Sequence, residues 1–205
     1  MPYVPIVDIS GDPDVVGAEL DEICRTTGFF QITGHGIPGD VAEPAWATAT
    51  KFFDLPLQDK LSVARPAPDY PYGYMPLAGE SLSQSITGTV TILRQDAVGG
   101  LEVLGTDGAW AGVAPAPGAF VVNIGDLMAR WTNDRWRSTL HRVVDPPDPA
   151  AAAARRQSMP YFQNANWSAA ISCLPTCLGP GEKPRYAPVL AGPHLMAKFR
   201  KSVSF

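Results

Sequence analysis

Ser138-Thr139-Leu140-His141-Arg142-Val143-Val144 is the stretch on which the fold reading turns. β-Branched residues around one histidine predict a strand in which Thr139, His141 and Val143 share a face, because strand side chains alternate with a period of two. An imidazole therefore sits on an apolar face. Downstream, Arg156-Gln157-Ser158-Met159-Pro160-Tyr161-Phe162 reads as another strand, with Arg156 and Ser158 in phase. The histidine suits a metal ligand or, equally by local pattern, a core side chain bonded to a neighbour. The Arg-x-Ser pair suits a carboxylate, since the guanidinium fork binds one bidentately and a hydroxyl adds a donor; the same pair also suits a solvated strand.

Working outward from that stretch, short strands recur between turn signals. Residues 87–93 alternate, with Val90 and Ile92 facing one way and Thr89, Thr91 and Leu93 the other. Asp96-Ala97-Val98-Gly99-Gly100 is a turn, residues 101–104 a strand, and Asp107-Gly108 a hairpin turn. Residues 119–123 form a further strand, closed by Asn123-Ile124-Gly125-Asp126, which reads as a turn bonded to its own backbone. This spacing predicts a sandwich, jelly roll or barrel. Nearer the N-terminus, residues 3–9 open as a strand, and Asp12-Pro13 starts an amphipathic helix that ends at Gly28. Phe29-Phe30-Gln31-Ile32 is a buried strand, and the turn histidine His35 follows it. A second helix runs from Asp40 through Phe53, with Trp46, Ala49 and Phe53 toward the core, and a shorter one spans residues 57–63. A last short helix lies around residues 195–199.

With 205 residues, 45% of them hydrophobic and 18% charged, the chain has room for a real core. Its net charge of −4 and its lack of a basic patch argue against a nucleic-acid or membrane-surface partner. No apolar run is long enough to span a bilayer and the N-terminus has no signal-like pattern, so a cytoplasmic protein is expected. The three cysteines, Cys24, Cys173 and Cys177, suggest buried, reduced thiols. The spacing of Cys173 and Cys177 lacks the second ligand pair that a structural zinc needs.

Longer blocks carry a resemblance. Thr91-Ile92-Leu93-Arg94-Gln95-Asp96, Gly99-Gly100-Leu101-Glu102-Val103, Pro117-Gly118-Ala119-Phe120-Val121-Val122-Asn123-Ile124-Gly125-Asp126 and Ser138-Thr139-Leu140-His141-Arg142-Val143 occur in this order. They resemble the catalytic half of the iron(II)/2-oxoglutarate-dependent oxygenases, in the subgroup of isopenicillin N synthase. The N-terminal Val4-Pro5-Ile6-Val7-Asp8, Gly28-Phe29-Phe30 and Gly34-His35-Gly36-Ile37-Pro38 also match it. The resemblance implies a mainly β fold with helices, a double-stranded β-helix (jelly roll) preceded by an N-terminal α/β segment. Residues 1–85 would form the N-terminal helical and strand region and residues 86–205 the C-terminal part of the β-helix domain. It implies iron(II) and 2-oxoglutarate as cofactors and a dioxygenase that oxidises a small organic molecule while 2-oxoglutarate is decarboxylated to succinate. His141 would be the distal histidine of the metal site, and Arg156 and Ser158 the grip on the distal carboxylate of 2-oxoglutarate. His35, Asp126 and His194 fall in motifs that do not ligate the metal.

One departure is chemical. The family's facial triad of two histidines and a carboxylate draws its first two ligands from His-x-Asp just ahead of the strand that here begins Gly88-Thr89-Val90, where this chain reads Ser83-Gln84-Ser85-Ile86-Thr87. The segment Tyr72-Gly73-Tyr74 to Ser81, which resembles one well upstream of His-x-Asp, adjoins that place directly. An internal deletion with its junction near Ser85-Ile86 is implied, together with an incomplete β-helix whose open strand edges favour self-association. Three readings follow: an oxygenase completed by a substitute ligand such as Asp126 or Glu80, a non-catalytic remnant or binding module, and an isopenicillin N synthase-like oxidase.

Overall fold

The computed structural model describes residues 3–67, 70, 72–76, 88–144 and 155–203. Strand β1 (Ile6–Asp8) leads to helix α1 (Pro13–Thr26) and strand β2 (Phe29–Thr33). Asp12 caps α1 by accepting from the Asp14 and Val15 amides, and Pro13 stands where no amide partner is needed. Gly28, at a φ of +61°, turns the chain between the two; a Cβ there would stand 2.0 Å from Arg137 O.

The strands form two facing sheets. Strand β3 (Val90–Gln95), β4 (Leu101–Leu104), β5 (Trp110–Gly112), β6 (Phe120–Ile124), β7 (His141–Val143) and β8 (Ser158–Gln163) follow in order. The larger sheet runs β1-β2-β6-β3-β8 and the smaller β5-β4-β7. A two-stranded unit of β9 (Ala170–Ile171) and β10 (Val189–Leu190) leads into the C-terminal helix. The fold is thus the expected jelly-roll type, mainly sheet with a few helices, and among the described residues the strands do not close into a barrel. No described helix is long and apolar enough to cross a membrane.

Register decides which side chains face the interior. Phe29, Asn123, Thr91 and Phe162 lie in one row across the larger sheet, Gln31, Val121, Leu93 and Pro160 in the next, and Gln95 and Ser158 in a third. This inner face meets the smaller sheet through a cluster of Val4, Phe29, Leu101, Val103, Val113 and Val121. The outer face packs Phe30, Ile32, Val122 and Ile124 against Ile23 and Cys24 of α1. The alternation read in β3 holds, with Val90 and Ile92 outward and Leu93 inward.

Several expectations change. Helix α2 (Gly39–Asp54) starts after Pro38, with Asp40 in its first turn rather than at the cap, and buries no residue. Trp46 stacks on the Arg94 guanidinium and Phe53 is exposed, while α2 is tied to the sheet through polar contacts with Arg94 and Gln157. Helix α3 (Leu57–Leu61) is shorter than expected. Asp126, read as a turn residue, opens helix α4 (Asp126–Trp131): Leu127 N–H bonds Gly88 O, an approach so close that a Cβ on Gly125 would lie 2.2 Å from that oxygen. The last helix, α5 (Ala191–Val203), is much longer than the residue pattern indicated. Of the cysteines only Cys24 is buried, and its thiol is pushed up to about 12, by burial first and by the nearby Asp21 carboxylate second.

β8 ends the larger sheet among the described residues. Gln157 O accepts from Asp96 N–H and Gln163 O from Thr89 N–H, so the odd-numbered residues bond toward β3. By alternation Ser158, Pro160 and Phe162 turn their backbone groups to the open edge, and Pro160 has no N–H to offer there.

Candidate functional site

His141 opens β7 opposite Val103, a fully buried residue of the inner cluster, so its ring enters the interior on the same face. It meets Phe29 edge to face at 5.1 Å between centroids. The loop ahead of it is fixed by Arg137 N–H to Cys24 O at 2.8 Å and by Thr139 Oγ to Thr27 O at 2.6 Å. Strand geometry begins at His141, so Thr139 anchors the entry rather than continuing the face. Burial lowers the imidazole's pKa, opposed by a long contact of 3.5 Å from Nδ1 to Thr139 O.

Arg156 stands two residues ahead of β8, its guanidinium held between Ser158 of that strand and the turn that joins β3 to β4. Nε donates to Gly99 O at 2.7 Å and Nη1 to Ser158 Oγ at 3.1 Å, while Nη2 is buried with no partner. Burial lowers the pKa of this group, with Asp96 acting the other way. A buried, unpaired guanidinium nitrogen costs more than an ordinary missing bond, and a carboxylate is the group whose geometry satisfies it. Arg156 and Ser158 fit the carboxylate that the resemblance assigns to them.

The structure brings His141 and the Arg156–Ser158 pair into one interior, at opposite ends. His141 touches the Phe29 row and Ser158 lies in the Gln95 row. Those rows are four residues apart on β3, about 13 Å at the strand rise. His141 also lines a cavity of about 350 Å³ walled by α4, residues 138–140 and α5, to which neither Arg156 nor Ser158 contributes.

Among the described residues the donor set does not fit iron. The chain has three histidines. His35 accepts from Ile37 N–H at Nδ1, which leaves Nε2 as the donor to Gly118 O, both at 3.1 Å. It tethers one turn to another. His194 holds Asp126 Oδ2 at 2.7 Å, and Lys198 reaches the same oxygen at 3.3 Å. That clasp ties α5 to α4 and occupies the carboxylate considered as a substitute ligand. Among the described residues no three His, Cys, Asp or Glu side chains converge on a metal position. Glu80 and the segment Ser83-Gln84-Ser85-Ile86-Thr87 lie outside the described residues.

Two inward polar side chains escaped the sequence reading. The Gln95 amide is buried with neither atom bonded, beside Ser158, and Asn123, 3% exposed, has an unpartnered Nδ2. Alternation held the signal, since Gln95 is in phase with Thr91 and Leu93, and Asn123 with Val121.

Comparison with known proteins gives a consistent answer. The model of the N-terminal region of non-haem dioxygenases in morphine synthesis matches residues 4–97, and that of the 2OG-Fe(II) oxygenase superfamily matches residues 70–165. A 2-oxoglutarate-Fe(II) type oxidoreductase of Emericella nidulans is 40% identical over 116 residues, 56% of this chain and 32% of its own length. Feruloyl CoA ortho-hydroxylase 1 of Arabidopsis thaliana is 24% identical over 97% of this chain and 80% of its own length. That alignment runs over 293 positions against the 205 residues of this chain, so it passes over interior stretches of the hydroxylase with no counterpart here. The two family models overlap over residues 70–97, around the expected junction. A full-length Neurospora crassa protein, crystallised in complex with alpha-KG and thymine, superposes with a TM-score of 0.81 at 21% identity, covering 97% of this chain and 96% of that one. A 2OG-Fe(II) oxygenase family protein from Caulobacter crescentus gives 0.80 at 21% identity, covering 98% and 99% of the two chains. These likenesses establish the shared fold. The chain spans about a third of the length of the curated relatives it matches first, at 32% and 31%. Iron(II) and 2-oxoglutarate are the cofactors of that family, and by sequence models, relatives and fold together this chain belongs to the 2-oxoglutarate and iron(II)-dependent oxygenase superfamily.

Proposed function

We propose that this protein is a shortened oxygenase that keeps the family's carboxylate grip and binds 2-oxoglutarate through Arg156 and Ser158 without oxygenase turnover. The observation that supports the reading is the buried Nη2 of Arg156, unpartnered beside Ser158. Bound metal, in the family, chelates the 2-oxo acid and activates oxygen; here the described donor set offers His141 alone, with His35 and His194 engaged elsewhere. The residues of this chain are left with binding and orientation. Gly99 O fixes the guanidinium at Nε and Ser158 supports it at Nη1, so the remaining edge is presented to the ligand without loss of side-chain freedom on binding.

Calorimetric titration of 2-oxoglutarate into wild-type protein and into Arg156→Met tests the grip. Saturable binding that the variant loses is expected, with no iron-dependent succinate release at saturating iron(II). Succinate formation that depends on added iron would favour the active-oxygenase reading instead. The isopenicillin N synthase-like reading draws on the same Arg156–Ser158 pair for a substrate carboxylate, and also needs the metal. The partner in each reading is a small organic acid.

A further inference from the structure

Asp126 and Arg130 stand one turn apart on α4, a spacing at which opposite charges are neighbours on one helix face and ordinarily pair. Here each is engaged elsewhere. Asp126 Oδ2 is drawn to α5 by His194 Nε2 at 2.7 Å and Lys198 Nζ at 3.3 Å. The Arg130 guanidinium lies over the Tyr186 ring, 4.5 Å from its centroid, and its Nη2 donates to Ala187 O at 2.9 Å. Each side chain keeps one buried atom with no partner among the described residues, Oδ1 of Asp126 and Nε of Arg130. Both residues wall the cavity of about 350 Å³ beside His141.

The unmet capacity is therefore of both signs. An acceptor on a carboxylate and a donor on a guanidinium are costly to leave unpaired, because each belongs to an ionised group. The carboxylates and the permanent cations around the cavity balance, Asp126 and Asp134 against Arg130 and Lys198. Asp134 is already met by the Tyr186 hydroxyl at 2.7 Å and by Arg185 at 3.4 Å. A plain anion would satisfy Arg130 and leave Asp126 unmet; a plain amine would do the reverse. A zwitterion with the two groups on neighbouring atoms satisfies both and leaves the balance undisturbed. The cavity has the room, since small-ligand sites run from about 300 to 1,000 Å³.

We infer that this cavity between α4 and α5 is a binding site for a free α-amino acid. Its carboxylate accepts from Arg130 Nε and its ammonium group donates to Asp126 Oδ1. His194 and Lys198 act as positioning residues by holding the other oxygen of Asp126, and Ala129 and Leu140 give the wall an apolar portion for the ligand's side chain. The site is separate from the carboxylate grip, because neither Arg156 nor Ser158 lines it.

The test is calorimetric titration of the full chain with glycine, L-valine, isovalerate (valine without its amino group) and isobutylamine (valine without its carboxylate). Saturable binding of an amino acid is expected, with isovalerate and isobutylamine each weaker than valine by about tenfold or more. Arg130→Met should weaken valine by about tenfold and leave isobutylamine unchanged, a pattern that general loss of structure would not give. Asp126→Asn provides the reverse comparison, weakening valine and leaving isovalerate unchanged, and the Arg130 variant stands alone should the clasp fail to form without the carboxylate. Arg156→Met should leave valine binding as it is. Isovalerate binding as tightly as valine would make this a plain anion site and overturn the inference. Loss of valine binding in Arg156→Met would move the ligand to the other grip and overturn it too, as would failure of both glycine and L-valine to bind.

Discussion

The interior of this roll has a closed side and an open side, built from the same strands in the same register. On the closed side Phe29 and Val121 are each 1% exposed and Val103 is fully buried, because two sheets and the N-terminal strand press on them. On the open side Val143 and Phe162 also face inward by register, yet are 38% and 54% exposed. Inward direction is fixed by the alternation of a strand, but burial needs something on the other side. Where, among the described residues, the smaller sheet stops at β7, the second condition fails. This fold's stability therefore rests on its β2–β6–β4 side, while β7 and β8 hold side chains in place with less packing. Arg156 and Ser158 belong to that second group.

The most severe challenge to this contrast is Phe29→Ala, which should cost about 3–5 kcal/mol in chemical denaturation through the cavity it leaves. A loss below about 1 kcal/mol would mean that the closed side is not the core. Next in size is ligand stabilisation: 2-oxoglutarate at a hundredfold excess over its dissociation constant should raise wild-type stability by about 2.7 kcal/mol. Arg156→Met should abolish that gain in the same thermal melts, showing that the open side acquires its packing partner from the ligand.

A smaller effect is expected at Asp21, on the outer layer behind the closed side. It accepts from Arg135 at 2.8 Å and from the Trp136 indole at 2.7 Å, and also pairs with Arg25. Arg135 first, then Trp136, lower its carboxyl to about 2 from 3.8. A folded-state value below the unfolded one stabilises above the unfolded pKa, and the contribution is lost as the pH falls through about 2. Asp21→Asn should therefore cost about 1 kcal/mol near neutrality. The gap to wild type should shrink below pH 3.8 and vanish near 2. Smallest of all is Phe162→Ala, expected to change stability by about 0.5 kcal/mol or less, since a surface side chain has little packing to lose. Should it match Phe29→Ala instead, the open side is covered after all.

Much of the fold was legible because it is written in local periodicity. The alternation of Val90, Ile92 and Leu93 assigned both faces of β3 correctly, and Asp12-Pro13 marked the start of α1. The same rule set His141 on an apolar face and Arg156 in phase with Ser158, while an inward place for that pair was implied by the resemblance alone. What stayed hidden depends on partners distant in sequence. Asp126 looked like a turn residue because its role, clasped by His194 sixty-eight positions later, has no local trace. Phe53 was expected inward from its spacing, but Phe52 is the half-buried one, packed edge to face on Tyr74 from a distant loop. Gln95 and Asn123 had the right phase and the wrong polarity for a core, and only the register across three strands shows that their amides share the hollow with Arg156.

Pro160 bears on whether a second strand can pair along the edge of β8 that stays open among the described residues. A foreign strand laid along β8 would find a missing rung midway, with carbonyls but no amide to grip, and the growing ribbon would lose its regular stitching there. Replacing Pro160 by valine restores that rung and should make sedimentation behaviour depend on concentration. One imino acid thus guards the flank that is unpaired among the described residues.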